Sequence, residues 1–218
     1  MVKIIRVVLI ILLVALIGLG GFQWRNYQKK KECRDNGLLY FKEEDYEKSI
    51  TYLKKGLKGI SMFGKEMDED MSCYLAESYY QLGEYEEAAR IYRSLRGRNS
   101  GKESYYVLEA EAYMAMEQRD KAVELYEKGW KNTGSSVFLS KICDAYIESE
   151  DYEEALRYAD LGLEKDEENA GEFLFKKIVI YEKCEDYSSA YETAVQYTAL
   201  YPDDEKGLKE LKFLETRI

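Results

Sequence analysis

The sequence predicts an all-α protein in which helix–turn–helix repeats stack behind one long apolar helix. Three observations predict it. Proline occurs once in 218 residues, at Pro202, while Ala, Leu, Glu, Lys and Tyr are abundant. An acidic–aromatic pair followed three residues later by a small residue recurs along the chain. It stands in LGEYEEAARIYRSL (Leu82–Leu95), SEDYEEALRYADLGL (Ser149–Leu163) and CEDYSSAYETAVQY (Cys184–Tyr197). Finally, every residue from Ile4 to Phe22 except Arg6 is apolar.

That apolar run is nineteen residues long, and at ~1.5 Å per residue it nearly crosses a ~30 Å hydrocarbon core. Arg6 sits near enough to its end to reach the headgroups, and Trp24 and Tyr27 fall where interfacial aromatics belong. No small-x-small cleavage site follows it, so residues 1–29 are expected to be a transmembrane signal-anchor rather than a removed signal peptide. Lys3 and Arg6 lie on its amino-terminal side, whereas Arg25, Lys29, Lys30, Lys31 and Arg34 follow it. A basic stub before an apolar run favours an amino terminus inside and a body outside the cytoplasm. The count of flanking cations favours the reverse; the expectation is an amino terminus inside and an extracytoplasmic body, with a cytoplasmic body left open. With no proline after the run, Trp24–Lys31 is expected to continue the helix into the repeats.

Aligned on the small residue, the repeats fall at Ser49, Ala88, Ala122, Ala155 and Ala190, at intervals of 39, 34, 33 and 35. Nine residues before each stands a tyrosine: Tyr40, Tyr79, Tyr113, Tyr146 and Tyr181. Three before stand Tyr46, Tyr85, Arg119, Tyr152 and Tyr187; four after stand Leu53, Tyr92, Tyr126, Ala159 and Ala194. Pro202 follows the last small residue by twelve. Each unit reads as two amphipathic helices, for example 69–82 and 85–97. The small residue lets the second helix approach the first, and the tyrosine fills the gap between neighbouring pairs with its hydroxyl toward solvent. One pair cannot cover its own apolar face, so neighbours must stack. The long first interval places an extra loop at Gly59–Asp68, exposing Met62 and Phe63. Beyond Pro202, residues 203–218 read as a capping helix with Asp203 or Asp204 as N-cap and Leu208, Leu211 and Leu214 on one face.

This pattern resembles the tetratricopeptide repeat (TPR) family, in about five copies over 30–202: approximately 30–63, 69–102, 103–135, 136–169 and 171–202. The family's fourth-position Trp is replaced by Cys33, Ser72, Tyr106, Leu139 and Leu174, and of its eighth-position glycines Gly37 alone remains. The resemblance implies a right-handed superhelix of stacked hairpins that binds an extended peptide or a helix in its concave groove. It places groove positions at Glu77, Tyr80, Glu111, Met114, Asp144 and Ile147, flanked by Leu38, Phe41, Val179 and Glu182. A row of three acids beside an apolar row would suit a partner with basic and apolar residues.

Chemistry other than binding finds little support. Without histidine, Ser-His-Asp and Cys-His pairs and the commonest metal ligand are gone. GRNSGKES (Gly97–Ser104) is a residue short of a phosphate-binding loop, carries Glu103 where a metal-binding hydroxyl belongs, and follows a helix. Glu86–Glu87 and Glu153–Glu154 read as solvated surface. Cys33, Cys73, Cys143 and Cys184 lack paired spacing and read as buried small hydrophobes. Residues 36–218 carry the chain's acidic excess, which disfavours nucleic acid. The expectation is a non-enzymatic, membrane-anchored scaffold without cofactor, metal or small-molecule substrate. The alternative is a permanent accessory subunit of a membrane or cell-envelope complex.

Overall fold

The computed structural model describes residues 2–59 and 64–218, with side chains from residue 12 onward. It contains eleven helices and no strand among the described residues. The chain divides into two compact units, 1–98 and 99–218. Unit 1 holds α1 (Val2–Lys42), α2 (Tyr46–Leu57), α3 (Lys65–Gln81) and α4 (Tyr85–Arg98). Unit 2 holds α5 (Glu103–Ala115), α6 (Arg119–Thr133), α7 (Val137–Glu148), α8 (Tyr152–Lys165), α9 (Ala170–Lys183), α10 (Tyr187–Leu200) and α11 (Glu205–Leu214). Within each unit successive helices pack as antiparallel neighbours. The loop residues Met62 and Phe63 lie outside the described residues.

The recurring acidic–aromatic pair turns out to be a helix-to-helix joint. At the end of each first helix one residue adopts the left-handed conformation: Glu44, Gly83, Glu117, Glu150 and Glu185, with φ from 58° to 77°. The next residue donates its amide to the carbonyl of the repeat tyrosine five positions back. Asp45 to Tyr40, Glu84 to Tyr79, Gln118 to Tyr113, Asp151 to Tyr146 and Asp186 to Tyr181 all span 2.9 Å. This is a Schellman closure. The same residue then caps the following helix, since the Asp45, Asp151 and Asp186 carboxylates accept from the amides of Lys48, Glu154 and Ser189. Each such cap contributes ~1 kcal/mol. The acid serves both helices at once.

All five small residues, Ser49, Ala88, Ala122, Ala155 and Ala190, are fully buried. In unit 2, Ala122 and Ala155 sit in one core with Tyr106, Phe138, Ile142 and Phe173, and Ala190 sits in a second with Ile178 and Leu214. Tyr79 is buried, and Tyr40, Tyr113, Tyr146 and Tyr181 are half-buried. A cation lies over every one of these rings: Lys48 on Tyr40, Lys54 on Tyr79, Lys121 on Tyr113, Arg119 on Tyr146 and Lys177 on Tyr181, at 5.1–5.9 Å. Arg119, the exception in the aromatic column, thus serves as a partner for the next repeat's tyrosine.

A second small column lies seven residues after the first. At Gly56, Gly129 and Gly162 an added Cβ would meet Met71, Phe138 and Phe173 at 2.7, 2.5 and 2.2 Å. The glycines admit the large side chain of the following helix.

α1 runs unbroken through the expected boundary at 29/30, and protein contacts reach well before residue 30. Tyr27 lies against Gly64, and Lys30, buried, pairs with Asp68. Arg34 Nε donates to Asp70 at 2.6 Å. The transmembrane span expected over 4–22 is not found: among the described residues, no helix is long and apolar enough to cross a membrane. Residues 4–11 of that span lack described side chains. At the other end Asp204 caps α11 through the Gly207 amide at 2.8 Å. Leu214 is buried and Leu211 half-buried, while Leu208 is exposed. Pro202 lies exposed in the turn before that helix.

Candidate peptide-binding groove

The six expected groove residues lie on the first helices of their hairpins, and all are half-buried. In unit 1, Glu77 on α3 accepts from Tyr92 Oη at 3.2 Å and from Gln81 Nε2 at 2.8 Å. Tyr80 meets Tyr85 edge to face at 5.0 Å. Phe41 meets Tyr74 at 5.1 Å, so aromatic contacts connect α1 to α3.

Unit 2 departs from the expected open row of acids. Lys141 Nζ on α7 donates to Glu111 on α5 at 2.8 Å. Lys176 on α9 pairs with Asp144 on α7 and lies 3.9 Å from Glu172, which in turn accepts from the Ser140 hydroxyl. Glu111 and Asp144 are therefore rungs of a ladder joining consecutive first helices. The hydrogen bond from Lys141 to Glu111, working against burial, raises the lysine's pKa above its ordinary value. A carboxylate so engaged must give up one partner to take another, which a free surface acid need not do. Sequence spacing could not show this, because the lysine belongs to the next repeat.

Beside the ladder lies an open cleft of about 600 Å³. Met114 and Ala145 supply apolar lining, and Glu117, Asp120, Glu148, Arg119 and Lys121 supply charge. The two cations are drawn onto Tyr146 and Tyr113, and Lys121 also donates to Gln118 at 2.8 Å. Glu117 and Glu148 remain exposed. Ile147, next along α7, packs against the unit 2 core.

Farther along, Glu182 on α9 is pushed up to about 7 by burial, by its hydrogen bond with Glu210 on α11, and by that carboxylate's charge. Cys33 and Cys143 are buried; burial pushes the Cys143 thiol up to about 12, leaving little thiolate. Cys184 departs from the expected buried set: it is exposed, because it stands at the C-cap of α9. Residues 97–104 comprise the end of α4, a turn and the start of α5, where Glu103 accepts from Ser135 Oγ at 3.0 Å. Among the described residues, no group of three or more His, Cys, Asp or Glu could hold a metal ion.

Residues 37–58, 74–100 and 103–129 match the tetratricopeptide repeat family. No curated protein matches the chain significantly in sequence. Among solved structures, a tetratricopeptide repeat protein from Parabacteroides merdae is similar, with 15% identity and a TM-score of 0.65 over 87% of this chain and 73% of that one. A thermophilic TPR protein of Thermus thermophilus aligns at 14% identity and TM-score 0.54, over 86% of this chain and 99% of its own. YrrB, described as a TPR protein with an unusual peptide-binding site, aligns at 15% and 0.53, over 81% and 88%. At these identities the structural likeness speaks for the fold. Those three segments of the chain match tetratricopeptide repeats, and the whole is an all-helical repeat fold; proteins built of such repeats typically serve as non-catalytic scaffolds for protein–protein interaction.

Proposed function

We propose that the chain is a membrane-anchored scaffold, without catalysis of its own, that holds a partner protein through a segment bearing apolar and basic residues. The observation that carries this reading is the cleft beside Met114. Its lining can receive an apolar side chain, and its local cations are occupied by tyrosine rings. Glu117 and Glu148 are left to meet a lysine or arginine of the partner. YrrB's peptide-binding site, on the same fold, supports looking for a peptide here. The ladder acids Glu111 and Asp144 then position the first helices of unit 2 beside the cleft.

The test is affinity capture from detergent extract with the full chain and two variants. Glu117→Lys with Glu148→Lys should abolish recovery of the main partner while far-UV circular dichroism stays unchanged. Undiminished recovery would remove the cleft from consideration. A combined Glu77→Lys, Glu111→Lys and Asp144→Lys chain should lose both partner and thermal stability, separating a positioning role from a contact.

The anchor is residues 4–22. Its described part supports this: Leu12, Leu13, Val14, Leu16, Ile17 and Leu19 are each more than half exposed, a row of apolar side chains without protein cover. Single-pass insertion with the amino terminus inside places the repeats outside the cytoplasm. The cations after the run, Arg25 to Arg34, favour the opposite orientation. Protease accessibility of the repeats in intact cells or spheroplasts distinguishes the two. A second reading, a permanent accessory subunit of a membrane or envelope complex, is favoured by Leu200, Leu208 and Phe213, exposed on α10 and α11. It predicts that purified chain aggregates unless co-expressed with its complex.

A further inference from the structure

We infer that the end of unit 1 nearest the apolar run is a docking surface for anionic lipid headgroups. The inference rests on the membrane reading above and adds a second, electrostatic contact to it. Antiparallel packing sorts the charges of this unit by end. The stretch of α1 just past Phe22 carries exposed Arg25, Lys29 and Lys31; exposed Lys58 follows α2, and exposed Lys65 opens α3. Contacts place these segments together. Gly64 lies against Tyr27, and a Cβ at Gly56 would stand 3.1 Å from Cys33. Lys30 joins Asp68, and Arg34 joins Asp70, which takes two acids of this end out of play. Glu32, Asp35 and Glu66 are the exposed acids that remain there, Asp35 lying 3.3 Å from Arg34. The opposite end, where α1 turns into α2 and α3 into α4, exposes Glu43, Glu44, Glu47, Glu84 and Glu86, with Lys42 and with Lys48 paired to Asp45.

Distances along α1 decide whether this matters. Tyr27, and Gly64 against it, lie ~8 Å beyond Phe22 at helical rise. The polar layer of a bilayer leaflet is roughly 5–8 Å deep, and charges are felt across a further ~8 Å at physiological salt. Lys65 therefore reaches the headgroups directly. Lys58, two residues beyond Gly56 in the direction returning along α1, stands ~13 Å out with a side chain of about half that length. The acidic end, twenty residues past Phe22 along α1, stands ~30 Å away and is screened. A bilayer holding residues 4–22 thus faces Arg25, Lys29, Lys31, Lys58 and Lys65 against fewer exposed acids, while Glu43, Glu44, Glu47, Glu84 and Glu86 stand at the far end.

The test floats full-length chain on vesicles of phosphatidylcholine alone or with phosphatidylglycerol in equal parts. In one form the apolar run is weakened by Leu12→Ser, Leu13→Ser, Leu16→Ser, Ile17→Ser and Leu19→Ser. That form should leave the neutral vesicles and stay on the anionic ones at low salt. Adding Lys29→Gln, Lys31→Gln, Lys58→Gln and Lys65→Gln should weaken it by roughly six hundredfold, each of the four cations near such a surface being worth roughly five-fold. The same positions changed to Arg should retain binding, which excludes misfolding. Failure of the weakened form to bind anionic vesicles, or indifference to Lys→Gln, overturns the surface. So does a preference for duplex DNA over the anionic vesicles at equal salt. Release of unmodified chain from neutral vesicles in high salt overturns the anchor instead, a separate result.

Discussion

Replacing Gly162 by alanine isolates the close approach that stacks α8 on α9. An alanine Cβ there would stand 2.2, 2.3 and 2.4 Å from three ring carbons of Phe173, a buried side chain. Carbon atoms prefer ~3.5–4.0 Å, so the ring must shift by more than an ångström where there is little room. Overpacking of this kind costs ~1–3 kcal/mol. Alanine recovers up to ~1 kcal/mol through helix propensity, leaving a net loss of ~1–2 kcal/mol. For a chain of this size that lowers Tm by about 2–8 °C. Gly97→Ala in α4 is the control, since nothing lies within 4 Å of its Cβ; it should raise stability by up to ~1 kcal/mol. Urea and thermal unfolding followed at 222 nm read both, and Gly162→Ala with Phe173→Leu should recover most of the loss. If Gly162→Ala alone is as stable as the parent, the packing argument fails.

Three further expectations concern the turn, the core and pH. Glu150→Gly should stabilise by ~0.5–1 kcal/mol, the relief of a left-handed L-residue less the entropy of glycine, visible as a higher urea midpoint. Ala122→Leu should cost ~1–3 kcal/mol by the same measurement, because Ala122 is wholly enclosed. Glu182, held at about 7 in the folded chain against ~4.3 unfolded, binds its proton more tightly folded than unfolded. Its contribution is present below the unfolded value and is lost as pH rises through about 7. Stability should therefore decline from pH 5 to 8, and Glu182→Gln should remove about 1 kcal/mol of that decline after solvent screening. An unchanged slope of the urea midpoint against pH would reject the assignment.

The repeat was legible because its two columns, Tyr40 to Tyr181 and Ser49 to Ala190, answer to volume, and volume must match at every interface of a stack. The left-handed joints were not, since glutamate at four of five gives no conformational signal in the way Gly83 does. Local hydrogen bonds hold the backbone there despite the residue. The glycines seven residues on were readable in principle: Gly56, Gly129 and Gly162 keep strict phase with Ser49, Ala122 and Ala155. Leu95 and Tyr197 interrupt the column and hide it. The Glu111–Lys141 and Asp144–Lys176 pairs lay beyond sequence reasoning, which locates a residue on its own helix but not against the helix one repeat later. For the same reason a row of acids looked available when part of it was already spent.

The unbroken course of α1 has a mechanical consequence. Lys30, Arg34 and Tyr27 clamp its carboxyl-terminal half to α3, and no glycine or proline interrupts residues 22–36. A rod of this kind transmits twist as well as position, so whatever grips its first turns also dictates the compass bearing of the opening hairpin. One residue inserted near Trp24 would swing that hairpin by about a hundred degrees while lifting it only ~1.5 Å, a change in aim with almost no change in reach.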